Sequence, residues 1–89
     1  MQERYLEITF RKGKPLAGYL YLAREVGARS TRSEATGKGL VVDFGPEGRP
    51  IGIEIAAPSR VTLSDLNALL EKYSLPLLSL EELAPLQAA

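Results

Sequence analysis

Asp43 and Glu54 are the carboxylates whose relative placement this chain defines best. They lie within residues 39–55, GLVVDFGPEGRPIGIEI, two apolar runs joined by a turn rich in Gly and Pro. Each acid sits opposite the large apolar residues of its own run, so a hairpin would set both on one face. Such a pair suits a hard cation held through oxygen, or a divided acid and base role. Two carboxylates are few for a calcium cage, and Glu7 is the only further acid that alternation places on the same face. The plainer expectation is that Asp43 and Glu54 are solvated outward residues, paired with Arg24, Arg29 or Arg32. The chain has no His and no Cys, which removes the commonest general base, thiolate metal ligands and disulfides. No catalytic residue, metal ligand or cofactor is therefore assigned. Catalysis is disfavoured without being excluded.

Aromatic residues form the second set. Alternation puts Tyr5, Tyr19 and Tyr21, with Val41, on the face that carries the acids. That face is too apolar for an ordinary solvated surface. Stacking against a base or ring is one use. An oligomer interface is the favoured one, because Tyr is enriched at interfaces. Tyr21, Asp43 and Glu54 form the ligand-binding candidate; Tyr5, Tyr19, Tyr21 and Val41 form the interface candidate. The glycines of residues 45–50 lack the lysine and following helix of a phosphate loop and read as a turn. Arg11, Lys12 and Lys14 read as a solvated loop tip.

Positioning these residues takes two hairpins. Residues 4–10 alternate, residues 11–15 are turn chemistry, and residues 19–22 alternate again. Residues 29–36 are polar, and any strand there is a short edge strand guarded by charge. In the second hairpin the register pairs Phe44 with Ile51, Val42 with Ile53 and Leu40 with Ile55, which leaves a loop over residues 45–50. Val41 then opposes Glu54 and Asp43 opposes Gly52. A slip of one residue would expose the whole apolar set. The period changes after Pro58. Thr62 as N-cap, Asp65 at N3 and a Val61–Leu66 staple begin an amphipathic helix that ends at residues 74–76. Leu78, Ser79, Glu82 and Leu83 repeat that signature for a helix of one to two turns stopped by Pro85. Leu80, Leu83 and Leu86 form a stripe on it that adds to the interface candidate.

Composition bounds the rest. The chain of 89 residues is a single domain (1–57 a β-sheet core, 58–89 a helical extension). At that size only about 60% of the unfolded surface is buried, and a partner subunit helps. The N-terminus has no signal-like apolar core, and no apolar run reaches membrane-spanning length. The expectation is a cytoplasmic protein with no membrane contact. Net charge is zero, but residues 1–38 hold eight Lys and Arg against four acids, and residues 39–89 hold three against seven. The mixed first half argues against nucleic acid, and binding through Arg24, Arg29 and Arg32 is the weakest reading. The split suits self-complementary pairing. Few amides and many Pro, Arg and Leu give a thermophile flavour.

Asp43-Phe44, Gly48 and then Gly52-Ile53-Glu54-Ile55, preceded by a strand ending in Tyr21-Leu22, resemble a small prokaryotic family of unknown function. Its hallmark is a D-x-D-x-x-G turn running into a GIEI strand. The resemblance covers residues 5–57 and leaves the helices as an extension. Family members carry acids after the first strand and before the second, where this chain has Arg11 and Gly18; Gly45 replaces the acid after Asp43. The resemblance thus implies no intact acidic site here. Some relatives lie beside small toxin-like genes, which implies an antitoxin-like or adaptor role.

The expected fold is α+β: an antiparallel sheet of four to five strands, then one amphipathic helix and a short C-terminal helix. The expected function is a non-enzymatic protein-interaction module that acts as a homodimer. The alternative is a small ligand-binding protein or enzyme using the Asp43/Glu54 and tyrosine face.

Overall fold

Strict alternation builds five strands. The computed structural model describes residues 4–23, 27 and 29–87, the last three as backbone only. The strands are β1 (Tyr5–Arg11), β2 (Lys14–Tyr21), β3 (Arg32–Ala35), β4 (Leu40–Phe44) and β5 (Pro50–Ile55). They form one antiparallel sheet in the order β1-β2-β5-β4-β3. β5 lies at its centre, so Ile51, Ile53 and Ile55 are all buried. The helices α1 (Leu63–Lys72) and α2 (Leu80–Gln87) follow a 3-10 turn at Pro58–Arg60. The fold is α+β.

Both helices cover the face that carries Leu20, Leu22, Val42 and Ile53. Leu66 and Leu70 of α1 and Leu83 of α2 are fully buried in that cluster. Phe44 meets Tyr73 edge-on, with ring centroids 5.7 Å apart, which fixes the end of α1 near β4. Each helix starts with a capping box. Thr62 accepts from the Asp65 amide while Asp65 accepts from the Thr62 amide, both at 3.1 Å. Ser79 and Glu82 repeat the arrangement at 3.2 and 3.0 Å. Between the helices, Asn67 pairs with both backbone groups of Leu78, standing in for a strand neighbour. Arg4 donates to the carbonyls of Pro76 and Leu77 and pairs with Glu82, which ties the second helix start to β1.

Four local expectations change. The first turn is shorter than residues 11–15: it is Lys12-Gly13, with φ 54° and 79°, the two left-handed residues that a right-twisted hairpin favours. In the second hairpin the register matches through Asp43↔Gly52, but a bulge then pairs Phe44 with Pro50 rather than with Ile51. Gly45 donates to the Arg49 carbonyl at 2.8 Å, which closes the loop one residue early. α2 runs past Pro85 to Gln87. An interior proline removes one amide and crowds the carbonyl four residues back, yet the helical backbone continues for two residues beyond it. Last, Leu83 is no interface residue. It is 0% exposed, while Leu80 is 70% exposed, so the expected stripe splits between core and solvent. Leu86 lies outside the described side chains. β3 is the polar edge strand that the sequence left open, and all four of its residues are exposed.

Candidate functional site

The sheet face away from the helices gathers the tyrosines and the acids in two rows. One row runs Tyr5, Tyr21, Gly52, Asp43 and Ser33 across the five strands; the next runs Glu7, Tyr19, Glu54, Val41 and Ala35. On β1, β2, β4 and β5 alternation puts them there, because their neighbours on the strand face the core, and the register with β4 places Ser33 and Ala35 beside them. Tyr5 and Tyr21 stack with centroids 4.4 Å apart and planes 13° apart. Tyr19 leans on Tyr21 at 4.6 Å and 55°. Tyr5 is 50% exposed, and Tyr19, Tyr21 and Val41 are partly buried.

Asp43 is the anchor of this face. It is 6% exposed and accepts from the Tyr19 hydroxyl at 2.6 Å and the Ser33 hydroxyl at 2.5 Å. Two short bonds from hydroxyls offset the cost of burying a carboxylate. Glu54 is its diagonal neighbour, as the register requires, and remains exposed. Loss of hydration, then the Asp43 charge, then a hydrogen bond with Asp43 push the Glu54 carboxyl above its ordinary pKa.

Gly52 makes this geometry feasible. A Cβ there would lie 2.0 Å from the Tyr19 hydroxyl oxygen and 2.4 Å from its ring carbons. The ring lies flat over the β5 backbone because no side chain stands in the way, and so its hydroxyl reaches β4. Sequence reasoning missed both Gly52 and Ser33. The signal for the first was present: a lone Gly inside an otherwise ideal strand marks close approach by another group. Ser33 had no comparable signal, because β3 itself was in doubt.

The other expected partners stand elsewhere. Arg32 lies on the opposite face, 3.9 Å over the Phe44 ring, and pairs with Glu34. It therefore does not neutralise Asp43 or Glu54; its register with Phe44 fixes the side it faces. Arg29 is exposed and makes no ion pair among the described residues, and Arg24 lies outside them. Glu7 does not complete a three-carboxylate site. Tyr19 separates it from Glu54 in the row, its contact is the Tyr21 hydroxyl at 3.5 Å, and no group of three ligating residues occurs among the described residues. A shallow groove of about 320 Å³ beside α1 involves Lys38, Arg60 and Asp65. There the capping box already occupies the Thr62 and Asp65 amides, so it offers little to an anion.

No protein-family model matches the chain, and neither curated proteins nor solved structures give a match. Among the described residues no helix is long and apolar enough to cross a membrane.

Proposed function

We propose that this chain is a non-enzymatic protein-interaction module that pairs with a second copy through the sheet face away from the helices. The observation behind this reading is the aromatic group Tyr5, Tyr19 and Tyr21. The helices bury the other face, and on this one Tyr5 is half exposed. Tyrosines give large, rigid contact area at low entropic cost, with hydroxyls that find partners at a wet rim. Placement in the cytoplasm and membership of the small prokaryotic family, with its antitoxin-like or adaptor role, belong to the same proposal.

Light scattering at micromolar concentration tests it. The expected result is a dimer that Tyr21→Glu shifts toward monomer while far-ultraviolet circular dichroism stays unchanged. A wild-type monomer would overturn the dimer and favour the second reading, a small ligand held by Tyr21, Asp43 and Glu54. The raised Glu54 beside the hydroxyl-bonded Asp43 supports that second reading, since a perturbed carboxyl marks a binding site more often than an ordinary surface acid does.

A further inference from the structure

Pairing this face with itself raises a problem of charge. A two-fold contact sets each patch against its own image, and Glu7, Asp43 and Glu54 all stand on it. Among the described residues none of them forms an ion pair with a cation. Like charges set directly against each other cost several kcal/mol. A dimer that packs on β1 and β2, the strands that carry the tyrosines, must therefore place something cationic from one copy over Glu7 of the other, and it keeps Asp43 and Glu54 on β4 and β5 clear of their own images.

The β1–β2 hairpin supplies it. Arg11, Lys12 and Lys14 are exposed at its tip, and none pairs with a described acid. β1 alternation puts Arg11 on the same side as Tyr5, Glu7 and Thr9, and beyond a bulge in which β2 skips Leu16 between the partners of Thr9 and Phe10, Lys14 opposes Arg11. Acids and cations thus share one face of one hairpin, displaced along it. Glu7 is two residues from Thr9 in one direction, and Arg11 is two residues from it in the other.

We infer that the dimer packs β1–β2 hairpin on β1–β2 hairpin, face to face and reversed, about a two-fold axis crossing near Thr9. Reversal about that point lays Arg11 of each copy over Glu7 of the other and Lys14 over Tyr19. The Lys12-Gly13 turn then falls over the stacked Tyr5 and Tyr21 rings. Facing sheets lie about 10 Å apart, a gap that an arginine and a glutamate span together. A cation over a tyrosine ring adds attraction. The chain already uses this chemistry internally, with Arg32 over Phe44 and against Glu34.

This inference rests on the homodimer reading, and charge exchange separates the two. Arg11→Glu alone sets acid on acid at both contacts, and Glu7→Arg alone sets cation on cation. Mixed in equal amounts, the two variants restore opposite charges at both contacts of a heterodimer. Sedimentation velocity is expected to find each variant weakened roughly tenfold or more, two exposed pairs being reversed at once, and the mixture returned to wild-type affinity. Wild-type affinity is expected to fall as salt rises. Both positions are exposed, so each variant is expected to keep the wild-type far-ultraviolet circular dichroism while its melting temperature falls only as far as the lost association predicts; Arg11→Gln, which removes the charge without reversing it, repeats the tip arm more weakly should Arg11→Glu unfold. A dimer indifferent to both single variants, or a mixture that stays weak, overturns this packing and leaves the homodimer standing on another surface. A wild-type monomer overturns both.

Discussion

Gly52, Tyr19 and Asp43 behave as one unit at the scale of single residues. The Tyr19 ring occupies the space a side chain at 52 would need, and its hydroxyl holds a carboxylate that is almost wholly buried. Gly52→Ala is expected to lift the ring off β5 and break the bond to Asp43. Hydrogen bonds to charged groups contribute about 1.5–3 kcal/mol, and loss of that order should appear in urea unfolding. Tyr19→Phe removes the same bond without moving the backbone. In a Tyr19→Ala background the clash is gone, so Gly52→Ala should become nearly neutral there. Additive costs in this double-mutant cycle would mean that ring and glycine are independent. Placing Asp43 and Glu54 as neighbours needed only alternation and register, and both were legible. What the sequence did not reveal was the hydroxyl network, because that depends on ring direction and on β3, a short strand with no large apolar residue to mark it.

Elements were readable wherever a local rule and the hydrophobic pattern agreed. Both capping boxes formed at the expected residues, and the central register held where a slip would have exposed Val42 and Ile53. Departures cluster where rules compete. The Asp43/Phe44 bulge trades one ladder pair for closure of the loop through Gly45, and Pro85 interrupts a pattern without ending the helix. Leu83 looked like surface because its helix was read alone. Burial was set by a sheet face that sequence spacing does not locate. The caps also make stability depend on pH. The backbone bond from Thr62 lowers Asp65 below its ordinary pKa, and the bond from Ser79 does the same for Glu82, aided by Arg4. A lowered folded pKa contributes stability that is complete above the unfolded pKa and lost as pH falls through the folded one. Melting temperature is therefore expected to fall through the acidic carboxylate range. Thr62→Ala should cost about 1 kcal/mol at neutral pH, whereas Asp65→Asn, which removes the titrating group but leaves the Thr62 amide in place, should flatten that acid dependence. An unchanged acid slope in Asp65→Asn would show that the α1 cap is not its source.

The whole molecule offers its own reporter of what covers the sheet. The chain has no Trp and four Tyr, and three of the four stand on the face away from the helices. Tyr73 is the exception, held edge-on to Phe44 under α1. Tyrosine emission therefore reads the face almost directly, and a neutral quencher such as acrylamide reads its access to solvent. If a second copy covers the hairpin, dilution exposes Tyr5, Tyr19 and Tyr21 together. Quenching is then expected to rise on dilution, with a midpoint that coincides with the fall in mass. Tyr73→Phe should leave that midpoint unchanged, because Tyr73 packs among core residues in monomer and dimer alike. Tyr21→Glu should show the dilute-limit quenching at every concentration. A mass transition without a change in quenching would place the dimer contact away from the tyrosines. The exposed Leu77 and Leu80 beside α2 would then be the surface to examine, 52% and 70% open to solvent as they are.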